Sequence, residues 1–184
     1  MTATTSDEEL VARYRDSRVD SALEELVKRH VPKVRAMIFP MVLDDNAADD
    51  LTQETMLRAV RAIDSFEGRS QFGTWLYRIA MNTTHGFLDR KNRSPVVFHA
   101  ELVDGSDCDI TPDRAATDAE LLSQIESAIA SLSPKLRAAM VLTALQGLSP
   151  REASAIEECD ESTIHWRVHE ARKQLQHKLR DYLS

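Results

Sequence analysis

Residues 66–93 hold the most chemically suggestive side chains of the sequence. Phe66, Glu67, Gly68, Arg69 and Ser70 make a short polar stretch with one aromatic, one cation and a glycine suited to a tight turn. Beyond it, Arg78, Asn82, His85, Arg90, Lys91 and Arg93 lie across from an apolar stripe of Phe72, Leu76, Ile79, Ala80, Thr83, Phe87 and Leu88 at helical spacing. The chemistry this permits is non-covalent. Cations hold phosphates, while amides and aromatics meet unpaired bases. An ordinary amphipathic helix with a solvated charged face has the same composition, so residue types alone leave both readings open.

Two further polar faces follow the same logic. In a helix expected over 46–63, Leu51, Met56, Leu57 and Val60 reach inward while Asp50, Gln53, Glu54 and Arg58 point elsewhere. Near the C-terminus, Ser149-Pro150-Arg151-Glu152 opens a short helix, 157–160 turn, and a longer basic helix starts at Glu161. It carries Ser162, Thr163, His165, Trp166, Arg167, His169, Glu170, Arg172 and Lys173. Short helices followed by a longer basic one make a helix-turn-helix pattern, whose second element enters the major groove. His165 and His169, four residues apart with Glu161 a turn earlier, also have zinc-ligand spacing, although DNA or solvent explains them more simply. Trp166 stays open between core anchor and DNA contact. The sequence offers no nucleophile–base set, phosphate loop or compelling metal site, and so points away from an enzyme and calls for no cofactor.

The elements that must position these faces are helical throughout. Asp7 to Arg15 is a short amphipathic helix. A second helix is expected to be capped by Ser21, with Glu24 completing a capping box, to be kinked or divided at Pro32 and to be ended by Pro40 and the Asp44-Asp45-Asn46 cluster. Residues 94–117 contain Pro95, Gly105, Pro112 and a run of acids without helical period, which reads as an extended or mobile tether. From Asp118 a second all-helical unit begins, with Ser133-Pro134 starting a helix that runs to Leu145 and stops at Gly147. The expected fold is all-α: two small helical domains, 1–93 and 118–184, joined by a flexible acidic linker.

Composition bounds the function. With 184 residues, 42% hydrophobic and 29% charged, the chain is an ordinary globular sequence. The net charge of −7 argues against a protein that simply coats nucleic acid. Charge is uneven, however: 65–93 carries five cations against two carboxylates, and 94–133 one cation against eight acids. No apolar run approaches a membrane span and the N-terminus lacks a secretion signal. Two distant cysteines, Cys108 and Cys159, suit a reducing cytoplasm.

FEGRSQFGTWLYRIAMN, preceded by DDLTQETMLRAVRAIDS, resembles the second conserved region of bacterial sigma factors of the small extracytoplasmic-function (ECF) group. Gly147-Leu148-Ser149, Glu152, Thr163-Ile164, Arg167 and Ala171-Arg172 are similar to the fourth conserved region. The resemblance implies a transcription initiation factor that binds core RNA polymerase and opens promoters. It assigns Asp50, Gln53, Glu54 and Arg58 to the β′ clamp, and Phe66 to Ser70 to a loop that holds a flipped −10 base. Arg78, Asn82, His85, Arg90, Lys91 and Arg93 would read or hold −10 DNA. The second domain would sit on the β flap and read −35 through the nine residues named between Ser162 and Lys173, while the linker threads the polymerase channel. An anti-sigma protein is a further implied partner. The chain departs from the pattern at Glu158 in the turn, at His165-Trp166 and at Glu170, where a cation is common. A stand-alone helix-turn-helix regulator, or a decoy that engages an anti-sigma protein, are the competing readings.

Overall fold

The computed structural model describes residues 5–93 and 112–180, which form helices and no strand among the described residues. The order is α1 Asp7–Ser17, α2 Asp20–Val42, α3 Asp45–Ala62, α4 Phe72–Arg93, α5 Pro112–Ala130, α6 Pro134–Met140, α7 Pro150–Glu157 and α8 Glu161–Lys178. Helices α1–α4 form one domain and α5–α8 the other. Single turns of other helix types sit at Ile63–Ser65 and Val141–Leu145.

Local chemistry sets most boundaries. Ser6 and Glu9 form a capping box at α1, Asp44 accepts from the Ala47 amide at α3, and Ser149 and Glu152 form a second box at α7. Gly147, with φ +68, supplies the left-handed residue that turns the chain between α6 and α7.

Four expectations about elements need correction. Helix α2 begins at Asp20 with Val19, not Ser21, at its cap, and Val19 makes no side-chain cap bond. It continues through both Pro32 and Pro40 to Val42. Tertiary packing outweighs the prolines: Val34, Met37, Ile38 and Met41 are all fully buried along this helix. Helix α5 starts at Pro112, so helix begins inside the stretch expected to be a tether; the rest of that call, 94–111, lies outside the described residues. The helix after Ser133 is regular only to Met140 and then widens into one π turn, in which the Gln146 amide donates to the Val141 carbonyl.

The two domains share one continuous core. Ala138, Ala139, Val141, Leu142, Ala153, Ile156 and Ile164 of the second join the buried cluster built on α2 and α4. Arg137 on α6 is 9% exposed and crosses this junction. It donates to the Met41 carbonyl at the end of α2 at 2.6 Å, and to the carbonyls of Ala130 and Leu132 at 2.7 and 3.2 Å. A cation thus satisfies carbonyls at the ends of α2 and α5.

Candidate nucleic-acid and polymerase interfaces

Helix α3 presents the first face. Asp50, Gln53 and Arg58 are exposed, and Glu54 accepts from Arg58 Nε at 2.6 Å one turn away. Leu57, expected inside, is 53% exposed and lies on the same stripe as Asp50, Gln53 and Glu54. Its spacing from Leu51 and Met56 suggested core, but Ala48, Thr52, Thr55 and Ala59 fill the inner side instead. The buried threonines are what the apolar pattern could not show.

The loop before α4 has a different construction from the one its aromatic suggested. Phe66 is only 5% exposed. It packs edge-on to Phe72, ring centres 5.6 Å apart, and tilted against Trp75 at 5.4 Å. Phe66 therefore floors the loop and is not positioned to stack on a base. Trp75 is half-buried in the same cluster. Glu67, Gly68, Arg69 and Ser70 stand exposed above this floor, with Arg69 paired to Glu67 at 2.6 Å. Gly68 has φ +70 and nothing near its missing Cβ, so the turn needs glycine for its backbone angle rather than for space.

On α4 the predicted cationic face splits in two. Asn82, Arg90, Lys91 and Arg93 are exposed and free of α7, whereas Arg78, also exposed, and the less exposed His85 contact it. Arg78 Nη2 donates to the Ala155 carbonyl at 2.8 Å, beside an open cleft of about 470 Å³ lined by Ser154, Glu158 and Cys159. His85 Nε2 donates to Glu157 Oε1 at 2.8 Å, and Tyr77 meets Gln146 at 3.2 Å along the same seam. The Glu157 side chain is 1% exposed and also takes Arg167 at 3.1 Å and Lys135 at 3.3 Å. Burial pushes the Glu157 pKa up, but the hydrogen bond and charge of His85, together with Lys135, outweigh it and hold the group below the usual glutamate range. Sequence reading missed Glu157, Gln146 and Arg137; an acid near the end of a short helix, or an arginine on an apolar one, gave no sign of a buried partner.

Helix α8 carries the last face. Ser162, His165, Trp166, His169, Arg172 and Lys173 are exposed along one side, and Trp166 at 62% is no core anchor. Thr163, Arg167 and Glu170 are less exposed. Arg167 turns inward to Glu157, and Glu170 accepts from Gln174 at 2.8 Å. Among the described residues no three His, Cys, Asp or Glu side chains gather as a metal-binding group, so Glu161, His165 and His169 do not form one.

Two family models match the chain in succession. Residues 26–94 match the model of Sigma-70 region 2, and residues 122–175 that of Sigma-70, region 4. The chain is 33% identical to RNA polymerase sigma-H factor of Pseudomonas aeruginosa over 187 aligned positions, covering 96% of this chain and 95% of that one. It is 31% identical to ECF RNA polymerase sigma-E factor of Haemophilus influenzae, covering 95% of each. The sigma factor RpoE of Bartonella quintana, solved with the anti-sigma factor NepR, superposes with a TM-score of 0.70 at 28% identity, over 85% of this chain and 96% of that one. CnrH, solved with the cytosolic domain of CnrY, shares the fold at the same TM-score and 22% identity, over 96% of this chain and 99% of that one.

Proposed function

Since the chain belongs to the ECF group of the sigma-70 family, and is thus a transcription initiation factor that directs RNA polymerase to promoters, we infer that its three solvent faces divide that work. The α3 face, Asp50, Gln53, Glu54 and Arg58 with Leu57 among them, docks on the β′ clamp. The loop 67–70 captures an unpaired −10 base, while Asn82, Arg90, Lys91 and Arg93 hold the adjoining strand. The exposed side of α8 enters the major groove at −35, with Ser162, His165, Trp166, His169, Arg172 and Lys173 toward the DNA. Domain limits of 1–93 and 118–184 serve this division, with the second domain on the β flap. An anti-sigma protein is the expected regulator, as NepR is for the Bartonella quintana factor.

The single observation that carries this reading is the joint match to regions 2 and 4, in order, on a chain whose exposed faces coincide with those regions. The work is binding throughout, and the catalysis of RNA synthesis belongs to the polymerase. No helix among the described residues is long and apolar enough to cross a membrane.

His85, bonded to the buried Glu157, meets promoter DNA once α7 leaves α4, while the exposed Arg78 exchanges the Ala155 carbonyl for phosphate. Unstacking each base costs a few kcal/mol, recovered by contacts to the extruded base.

Run-off transcription with purified core polymerase tests the reading. Expected is promoter-dependent initiation that needs both the chain and core enzyme. Specific binding of duplex by the chain alone, without stimulation of core polymerase, would favour a stand-alone regulator.

A further inference from the structure

Helix α1 belongs to none of the faces above, yet its polar residues converge on the 64–72 segment. Leu10 and Val11 bury its apolar side. On its flank, Glu8 Oε1 accepts from the Phe72 amide at 3.0 Å, and Arg15 Nη1 donates to the Phe66 carbonyl at 2.9 Å. The backbone is therefore gripped immediately before and immediately after the exposed residues 67–71. The Phe72 amide is one of the unpaired donors of the first turn of α4, so Glu8 caps that helix from outside it. Helix α1 is itself pinned to α2, because Asp7 accepts from Arg29 at 3.0 Å and from His30 at 2.7 Å.

We propose that α1 is a brace for strand opening, with Glu8 and Arg15 as positioning residues that fix the two ends of the loop while its exposed residues take an unpaired base. This rests on the reading of the loop as the base-capturing element. A short loop held at both ends has little conformational freedom left to lose when a base enters. Without the ties, that ordering cost falls on the opening step. It does not fall on polymerase docking or −35 binding, which use α3 and α8. Arg18 also pairs with Asp64 at 2.9 Å, but both side chains are more than half exposed and the pair contributes little.

The test uses holoenzyme carrying Glu8→Ala, Glu8→Gln, Arg15→Ala or Arg18→Ala, with permanganate reactivity read on a duplex promoter and on the same promoter pre-melted at −10. Glu8→Ala and Arg15→Ala should each lower opening of the duplex roughly tenfold, as loss of a charge-assisted hydrogen bond predicts. Most of the loss should be recovered on the pre-melted template, with core affinity unchanged. Glu8→Gln keeps a neutral acceptor for the Phe72 amide and should recover about half of the loss in free energy, to within roughly threefold of the unaltered protein, while Arg18→Ala should do little. Amide hydrogen exchange over 66–72 in the free protein should quicken most in Glu8→Ala and Arg15→Ala. Equal loss on both templates, or Glu8→Gln as impaired as Glu8→Ala, would overturn the brace. Arg69→Ala with Ser70→Ala separates the underlying reading: if that pair leaves duplex opening intact, base capture by the loop fails and the brace with it. If the pair impairs opening and the α1 variants do not, the brace alone fails.

Discussion

The His85–Glu157 bond lends itself to a measured cycle, because it is the one contact of the Glu157 cluster that crosses between domains. Arg167 and Lys135, the other two partners, belong to the same domain as Glu157. Glu157→Gln therefore weakens the second domain and the seam together, whereas His85→Ala touches the seam. Lys135 is half-exposed and adds little. His85 and Arg167 are largely buried, and each charge-assisted bond is worth about 1.5–3 kcal/mol, offset by relief from burying a carboxylate. The net expectation for Glu157→Gln is a loss of about 2 kcal/mol, and the coupling between positions 85 and 157 should be about 1–1.5 kcal/mol. At 1.4 kcal/mol per tenfold, domain closure shifts roughly tenfold toward open. Energy transfer between dyes on α1 and the end of α8 reads that equilibrium for the four members of the cycle. Since the Glu157 pKa is held low in the folded chain, its contribution is present above the ordinary glutamate value and is lost as pH falls through the depressed one. Acid should thus open the unaltered protein below the ordinary glutamate range, with Glu157→Gln showing no such step. Coupling near zero, or an acid transition unchanged in Glu157→Gln, would refute the view that the His85–Glu157 bond helps hold the domains together.

Three more expectations follow from the faces. Asp50→Ala with Gln53→Ala should weaken core polymerase binding about tenfold in a direct titration, and Leu57→Ser should do so as well, with helix content unchanged by circular dichroism. Arg137→Met leaves the Met41, Ala130 and Leu132 carbonyls without their donor and should lower unfolding free energy by about 2–4 kcal/mol in urea. Trp166→Ala should weaken holoenzyme binding to −35 DNA by about 1–3 kcal/mol without lowering the thermal midpoint, while Glu170→Arg should leave affinity and salt slope nearly unchanged because Glu170 is turned toward Gln174.

Much of the architecture was legible from helix period and caps. Ser149 with Glu152 announces α7, and the exposed stripes of α3 and α8 follow their polar spacing. What was hidden has physical causes. Pro40 reads as a stop, yet it lies close to the end of α2, where the buried Met37, Ile38 and Met41 hold the helix together. Phe66 reads as a stacking aromatic because one residue cannot reveal that Phe72 and Trp75 converge on it from the next helix. Arg78 and His85 carry the right chemistry for DNA, and only tertiary structure brings a carbonyl and a carboxylate to meet them first. Glu158 departs from the small residue common in such turns and holds φ +51 nonetheless, the left-handed cap position of α7.

The side of α4 that carries Tyr77, Met81, Thr84 and His85 mixes apolar bulk with polar tips. Tyr77, Met81 and Thr84 are buried in this arrangement, and the Met81 side chain and the Tyr77 ring are the costly ones to wet, at about 1.5–3 kcal/mol for a methionine if fully exposed. The Thr84 hydroxyl already donates to the Ala80 carbonyl within its own helix, so it asks nothing of a partner. The Tyr77 hydroxyl can exchange Gln146 for water. A leucine stripe at these positions would weld the domains shut. Tyrosine and histidine instead join the domains through directional polar contacts, to Gln146 and Glu157, that water can replace when the seam parts.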